Sequence, residues 1–156
     1  MFRSLDHLIL MTRDLPSASS DYSKVFGCEP VWRGVHDGLG TENAIFSVNN
    51  TYLEILAPRA KGAGADFVNS VIDADGEGLA GLALETSDIG RLKKELSERK
   101  VPTKKIVSGA GLDSQQDKFR TWQNLFFSRD LTRGLFIFAI QHESEKLQKS
   151  EVSRSK

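Results

Sequence analysis

The first 58 residues alternate between apolar and polar positions in a pattern that predicts one strand, one helix and three further strands. Residues 5–11 are mostly apolar on both faces of an extended chain, which predicts a first strand buried on both sides. Asp14 is a good N-cap for the helix that follows, and Gly27 is suited to end that helix. The three further strands are predicted at residues 29–32, 43–48 and 52–56, with a polar loop at 34–40 after the first of them.

A second unit of the same design is predicted from about residue 78. The segment at residues 81–89 echoes residues 7–15, and in both copies an apolar strand leads to an Asp that opens a helix. The elements expected in this unit are a strand at 82–86, a helix at 88–100, an extended stretch at 103–107, a flexible segment at 108–111, and hairpin strands at 121–127 and 135–142. We therefore expect one domain over residues 1–142, composed of units at about 4–58 and 78–142, a connector at 59–77 with one short helix, and a charged tail or linker at 143–156.

Composition excludes several classes of function. The chain of 156 residues carries 21 basic and 21 acidic side chains, so it lacks the positive charge expected for binding nucleic acid or an anionic membrane. Its single cysteine, Cys28, cannot form an internal disulfide, and no secretory pattern opens the chain. No apolar run approaches the roughly 20 residues that span a bilayer. We expect a cytoplasmic protein with a small-molecule ligand.

His7 and Glu54 are the candidate functional residues with the clearest support from the pattern. Strand alternation places His7 on one face of the first strand, and Glu54 lies between two apolar neighbours in the last strand of the same unit. A carboxylate in a doubly buried strand is costly unless it is paired, bound to a metal or hydrated in a cavity. Three interpretations remain open at this point, namely a core histidine bonded to a carbonyl, a His7–Glu54 ion pair, and a metal site.

Other residues are candidates for lining a pocket. His36 lies in the glycine-rich loop that could cover its mouth, and Arg120 and Trp122 could line it from the second unit. Small side chains at Gly81 and Ala139 would leave a cavity on that side, unless neighbouring phenylalanines fill the space.

Two such units resemble the vicinal oxygen chelate superfamily. The opening Leu-Asp-His-Leu-Ile-Leu, the loop His-Asp-Gly-Leu-Gly-Thr-Glu-Asn-Ala and the Tyr-Leu-Glu strand ending in Ala-Pro are similar to the glyoxalase-like domain family, over residues 4–143. The resemblance implies an α+β fold in which two βαβββ units pair into a cupped mixed-sheet half-barrel with the helices outside. In metal-dependent members, the ligands come from the first and last strands of each unit.

Carried over by position, the ligands implied by the resemblance are His7 and Glu54 from the first unit and Gly81 and Gln141 from the second. Gly81 contributes no donor, and Gln141 would be a neutral third ligand. Alternation then sends His142 to the opposite face. Such a set could bind a divalent metal such as Zn²⁺, Fe²⁺, Mn²⁺ or Ni²⁺.

The function implied is that of a metal-dependent lyase, isomerase or dioxygenase acting on a small oxygenated metabolite. Glu54 would serve as ligand or general base, and the residues expected to contact substrate are His36, Asn43, Tyr52 and Trp122. One alternative is a non-catalytic module that binds or sequesters a small molecule without metal. Another is a chain that functions as a homodimer or paired with a further domain.

Overall fold

The computed structural model of the chain describes residues 1–113 and 118–144, so the predicted tail lies almost entirely outside the described residues. The strands are β1 (Phe2–Met11), β2 (Trp32–His36), β3 (Thr41–Val48), β4 (Thr51–Pro58), β5 (Gly78–Thr86), β6 (Thr103–Asp113), β7 (Phe119–Phe127) and β8 (Phe136–His142). The helices are α1 (Leu15–Phe26), α2 (Ala63–Asp75) and α3 (Ile89–Glu98). None of these helices has the length and apolarity needed to cross a membrane. The order of elements is the predicted one.

The eight strands form a closed barrel in the order β1-β4-β3-β2-β6-β7-β8-β5. Each unit places its first strand parallel to its last, β1 beside β4 and β5 beside β8. The units join along an antiparallel β1–β5 ladder and, more briefly, where Gly34 and Val35 of β2 pair with the end of β6. The half-barrel expected from the sequence is therefore closed at this second junction.

The closure depends on β6, which is longer than the sequence predicts. The segment 108–111 was expected to be flexible because of its glycines, but it continues the strand and pairs with β7. A Cβ at Gly109 would lie 2.2 Å from Nε1 of Trp122, and one at Gly111 would lie 3.1 Å from the same indole. These glycines therefore make room for a tryptophan, which is a packing requirement rather than a sign of disorder.

Strand β2 begins and ends later than predicted. The sequence favoured a strand at 29–32 and a loop at 34–40, whereas Trp32–His36 pairs with β3 over its full length. The turn that follows is closed by hydrogen bonds from the N–H groups of Leu39 and Gly40 to the carbonyl of His36, with Gly40 at a φ of 70°. Because Gly40 adopts this left-handed conformation, the turn begins after His36, three residues later than the start of the loop predicted at 34–40.

Two helices lie outside the barrel, as expected, and one does not. Helix α1 packs on the outer face of the first unit, around Phe46 and Ile55, and α3 packs on the outer face of the second, around Leu125. The connector helix α2 instead buries Val68 and Ile72 against inward-facing residues of β1, β5 and β8. The expectation that all helices lie outside is wrong for α2, which closes one side of the barrel interior and shapes the cavity there.

Candidate functional site

The interior of the barrel holds a cavity of about 670 Å³. All three histidines of the chain, His7, His36 and His142, line it. The other polar or amphipathic groups on its wall include Asp6, Trp32, Thr41, Asn43, Tyr52, Glu54, Arg120, Trp122 and Asn124. Of the residues predicted from the sequence to bind metal or substrate, all but Gln141 lie on this wall.

His7 and Glu54 meet across the parallel β1–β4 pair, as the alternation predicted. Nε2 of His7 lies 3.1 Å from Oε2 of Glu54, within ion-pair distance but not aligned for a hydrogen bond. The other carboxylate oxygen, Oε1, accepts a hydrogen bond of 2.5 Å from the amide of Asn43. Asn43 is fixed in turn, because its Oδ1 accepts from the backbone N–H of Gly34. The carboxylate is therefore held in place from two strands.

Asp6 is a member of this group that the sequence did not reveal. Strict alternation would turn its side chain away from that of His7, but the β1–β5 ladder shifts register between Leu5 and His7, which places Asp6 at a β-bulge. Its carboxylate lies inside, where Oδ1 accepts from Nδ1 of His7 at 2.7 Å and Oδ2 accepts from Nε2 of His142 at 2.9 Å. Asp6 thus connects two of the three histidines.

The charges of this network are set by its geometry. Burial alone would lower the pKa of His7, but its hydrogen bond to Asp6 and the adjacent Glu54 raise that pKa to about 9. Burial would raise the pKa of Glu54, yet His7 and the Asn43 amide lower it to about 2. Hydrogen bonds from both histidines likewise hold the pKa of Asp6 far below its usual range, against the effect of burial. At neutral pH the network therefore holds an imidazolium between two carboxylates.

His36 differs from His7 because its environment favours the neutral ring. Burial lowers its pKa, and the charge of Glu54 offsets this only in part. Nδ1 of His36 lies 3.0 Å from the hydroxyl of Thr41, so Nε2 is the ring nitrogen available to a ligand. The ring stands edge-on to Trp122, with 5.8 Å between centroids. The loop histidine of the sequence is thus a buried strand residue of the cavity wall.

Arg120 brings a cation to the same cavity. Its guanidinium lies over the Trp32 ring, 5.4 Å from the centroid, and donates a long hydrogen bond of 3.4 Å to Nδ1 of His142. Its Nε is buried without a hydrogen-bond partner, and no described carboxylate forms an ion pair with it. Burial lowers its pKa from the ordinary arginine value, although nearby Asp6 opposes this. A buried guanidinium with an unused donor is suited to binding an anionic ligand.

Gln141 lies away from the cavity, contrary to the expectation that it is a third metal ligand. Its Oε1 accepts a 2.7 Å hydrogen bond from the backbone N–H of Ile89, at the start of α3. The face assignment made from the sequence is reversed, since His142 points inward and Gln141 outward. In the β5–β8 register, the counterpart of Glu54 is instead Phe138, whose ring contacts that of His7 at 5.8 Å.

We expect Gln141→Ala to lower the free energy of unfolding by about 1 kcal/mol, because it leaves a backbone N–H of a helix start without its partner. Gln123→Ala is a matched control, since the side-chain hydrogen bond of Gln123 to Glu143 is exposed to solvent. Urea denaturation of both variants measures the difference. Equal stabilities of the two would contradict the capping role of Gln141.

The residues at the site do not fit a resident divalent metal. The second-unit positions related to His7 and Glu54 carry Gly81 and Phe138, neither of which offers a ligand atom. A side chain cannot be added simply at Gly81, because a Cβ there would lie 2.0 Å from the carbonyl oxygen of Phe136. Within residues 1–113 and 118–144, no group of three or more His, Cys, Asp or Glu side chains is arranged to hold a metal ion. Catalytic zinc sites use three protein ligands, and among the described residues no third ligand converges on His7 and Glu54, which already pair with each other.

Solved structures with this fold include several epimerases. The Streptomyces coelicolor methylmalonyl-CoA epimerase in complex with 2-nitronate-propionyl-CoA is 18% identical, with a TM-score of 0.72, over 92% of this chain and 100% of that one. The enzyme of the same name from Mycobacterium tuberculosis is 20% identical, with a TM-score of 0.70, over 90% and 88%. A hypothetical protein from Bacillus halodurans C-125 is 16% identical, with a TM-score of 0.74, over 93% and 98%. At these identities the likeness establishes the fold alone.

Comparison of the sequence with family models identifies the family. A search of curated proteins finds no match. The sequence model of the glyoxalase-like domain family, however, matches residues 5–155, nearly the whole chain. With the closed barrel of two βαβββ units and the paired His7 and Glu54 on its inner wall, this match shows that the chain belongs to the glyoxalase-like domain family of the vicinal oxygen chelate superfamily.

Proposed function

We propose that this protein binds a small carboxylic acid in the barrel cavity and transfers a proton on it, as an isomerase does. The observation that carries the proposal is the different surroundings of two histidines in one cavity. The ring of His7 lies between the carboxylates of Asp6 and Glu54, whereas the buried ring of His36 lies against the hydroxyl of Thr41. His7 is held as the imidazolium, whereas His36 is held as the neutral imidazole. Titratable groups whose environments drive their pKa values apart are characteristic of acid–base sites.

In this proposal each polar group has a distinct role. Arg120 lines the cavity and binds the carboxylate of the ligand through its guanidinium, which fixes the position of the acid group. Nε2 of His36 removes a proton from the carbon next to the acidic or carbonyl group of the ligand. Glu54 remains ionised and stabilises the positive charge that His36 acquires, since its carboxylate already favours the protonated ring. His7 and Asn43 keep Glu54 ionised and in position.

Isomerase chemistry is supported over the lyase and dioxygenase alternatives by two considerations. Several proteins of the same fold are methylmalonyl-CoA epimerases by name. The donor set described above does not fit the metal on which the dioxygenase interpretation depends. The non-catalytic binding module remains the alternative against which the proposal is tested, because it needs Arg120 but not a neutral His36.

Proton exchange tests the proposal without knowledge of the natural substrate. We expect the protein to accelerate exchange of the C3 protons of 2-oxo acids, which are next to the keto group, in D₂O followed by ¹H NMR, and His36→Asn to reduce that rate by about 100-fold. The rate should be constant above about pH 6.5 and fall at lower pH, because the pKa of His36 is displaced downward and only the neutral ring accepts a proton.

Arg33→Met is a suitable control for exchange, since Arg33 is on β2 but does not line the cavity. If 2-oxo acids bind to the wild type but exchange no protons at any pH tested, the result would favour the binding module and contradict proton transfer.

A further inference from the structure

The second-unit side of the cavity is lined by phenylalanine. Four rings from α2, β7 and β8 contact one another and form what we call the phenylalanine wall, which consists of Phe67, Phe126, Phe136 and Phe138. The ring centroids of Phe67 and Phe136 are 4.7 Å apart, and those of Phe126 and Phe138 are 5.2 Å apart. Phe126 and Phe136 are nearly parallel, with 13° between their planes. The wall is therefore a continuous aromatic surface.

The phenylalanine wall faces the cavity rather than filling it. Phe67, Phe126 and Phe136 are only partly buried, whereas Phe46, in the outer core of the first unit, is fully buried. Apolar surface left exposed inside a concave site costs free energy that a bound apolar group recovers. The sequence predicted open space beside Gly81, with filling by phenylalanines as the alternative. Phe136 fills the space directly beside Gly81, while the four rings of the wall line the cavity.

The wall of the cavity carries two chemically different surfaces. The cavity volume of about 670 Å³ lies within the range of about 300–1,000 Å³ typical of small-ligand sites. Arg120 and the three histidines line the same cavity as the phenylalanine wall, as do the charged side chains of Lys104, Arg129 and Asp130. The rings of His7 and Phe138 are in contact, so the histidine network and the phenylalanine wall adjoin. A single ligand in this cavity can therefore contact polar and aromatic surfaces together.

We propose that the substrate is an aryl-substituted small carboxylic acid, with its aromatic ring against Phe126 and Phe136 and its carboxylate at Arg120. The inference rests on the proposed function for the position of the carboxylate. Aromatic pairs in offset or edge-on contact gain free energy beyond that of the area they bury, so the wall favours an aromatic ring over a saturated one of equal size. The phenylalanine wall thus favours an aromatic ring in the ligand, and Arg120 favours a carboxylate.

Binding of matched compounds tests the inference by titration calorimetry at pH 7. 3-Phenylpropanoate and 3-cyclohexylpropanoate share a carbon skeleton and a charge, and we expect the aromatic acid to bind about tenfold more tightly. 3-Phenylpropanol keeps the ring but lacks the charge, and we expect it to bind at least about tenfold more weakly than the acid. These comparisons use the wild-type protein alone, so they hold even where a variant fails to fold.

Variants then locate the two contributions. Phe136→Leu and, separately, Phe126→Leu should reduce the preference for the aromatic acid to less than about threefold. Phe26→Leu, on α1 and outside the cavity, should leave the preference unchanged. Arg120→Met should weaken both acids alike and preserve their ratio.

The outcomes separate this inference from the proposed function. Equal affinities for the two acids, with proton exchange on aliphatic 2-oxo acids, would overturn the aryl preference and leave proton transfer standing. Binding of the aromatic acid without exchange would support the wall and overturn the catalytic role. Absence of binding by either acid, together with absence of exchange, would overturn both.

Discussion

Replacing Asp6 with asparagine is expected to lower the free energy of unfolding by about 3 kcal/mol at pH 7, the cost typical of removing one partner from a buried ion pair. The Asp6 side chain is only 4% exposed and accepts hydrogen bonds from both His7 and His142. An asparagine of the same shape loses the negative charge and presents an amide N–H₂ to one of the two imidazole nitrogens. The imidazolium of His7 would then be compensated by Glu54 alone.

The loss should depend on pH in a direction set by the displaced pKa values. The folded pKa of His7 is raised to about 9, so its contribution is complete below the unfolded value of about 6.5 and is lost as pH rises through 9. The folded pKa of Glu54 is lowered to about 2, so its contribution is present above about pH 4.5 and is lost as pH falls through 2. Wild-type stability should therefore be highest between about pH 4.5 and 6.5.

Urea denaturation between pH 5 and pH 9 measures both effects. Through the His7 titration, the wild type should lose stability with a slope approaching 1.4 kcal/mol per pH unit, and Asp6→Asn should show a shallower decline that begins at lower pH. Asp21→Asn is the matched control, since Asp21 is exposed and pairs only with Lys24, and it should change stability by less than about 0.5 kcal/mol. A similar small loss for Asp6→Asn, at every pH, would show that the network is not charged as described.

Replacing Gly81 with alanine is expected to cost about 3 kcal/mol, at the upper end of what overpacking usually costs. The added Cβ would lie 2.0 Å from the carbonyl oxygen of Phe136, a backbone atom in the paired strand β8. A flexible side chain could rotate away from this contact, but a ladder carbonyl cannot, so the β5–β8 pair must separate locally. The phenylalanine wall, which includes Phe136, would shift with strand β8.

Gly38→Ala provides the control for Gly81, because a Cβ at Gly38 meets no atom within 4 Å. We expect that variant to remain within about 0.5 kcal/mol of the wild type, measured by thermal and urea unfolding. A stable, well-folded Gly81→Ala protein would mean that β8 can move aside and that a ligating side chain could be accommodated at this position. We therefore predict that the backbone of β8 leaves no room for a ligating side chain at position 81.

The pairing of His7 with Glu54 could be predicted from the sequence. Alternation along β1 and β4 fixes which side chains share a face, and the first strand of such a unit usually lies beside its last. The helix starts at Asp14 and Asp88 were predictable for the same kind of reason, since each side chain accepts a hydrogen bond from a backbone N–H three residues later. Both features follow from patterns that are read over a few consecutive residues.

Asp6, Gln141 and His142 could not be assigned correctly in this way. The bulge in β1 adds one residue to one strand of a ladder, and no pattern in residues 2–11 marks where it occurs. For β8, an error of one position in register exchanges the inner and outer faces of every residue. Sequence reasoning therefore placed Gln141 inside and His142 outside, and the hydrogen bonds of both residues show the reverse.

By itself, the sequence determined the two βαβββ units, the inward face of the first, and the family to which they belong, because hydrophobic alternation and helix caps are read over a few neighbouring residues. Only the tertiary structure decided that the barrel closes, that α2 packs against its interior, and that Asp6 joins two histidines while Phe138, rather than Gln141, occupies the position related to Glu54. Those features depend on register and bulges between strands far apart in the chain, where a shift of a single residue changes which side chains meet.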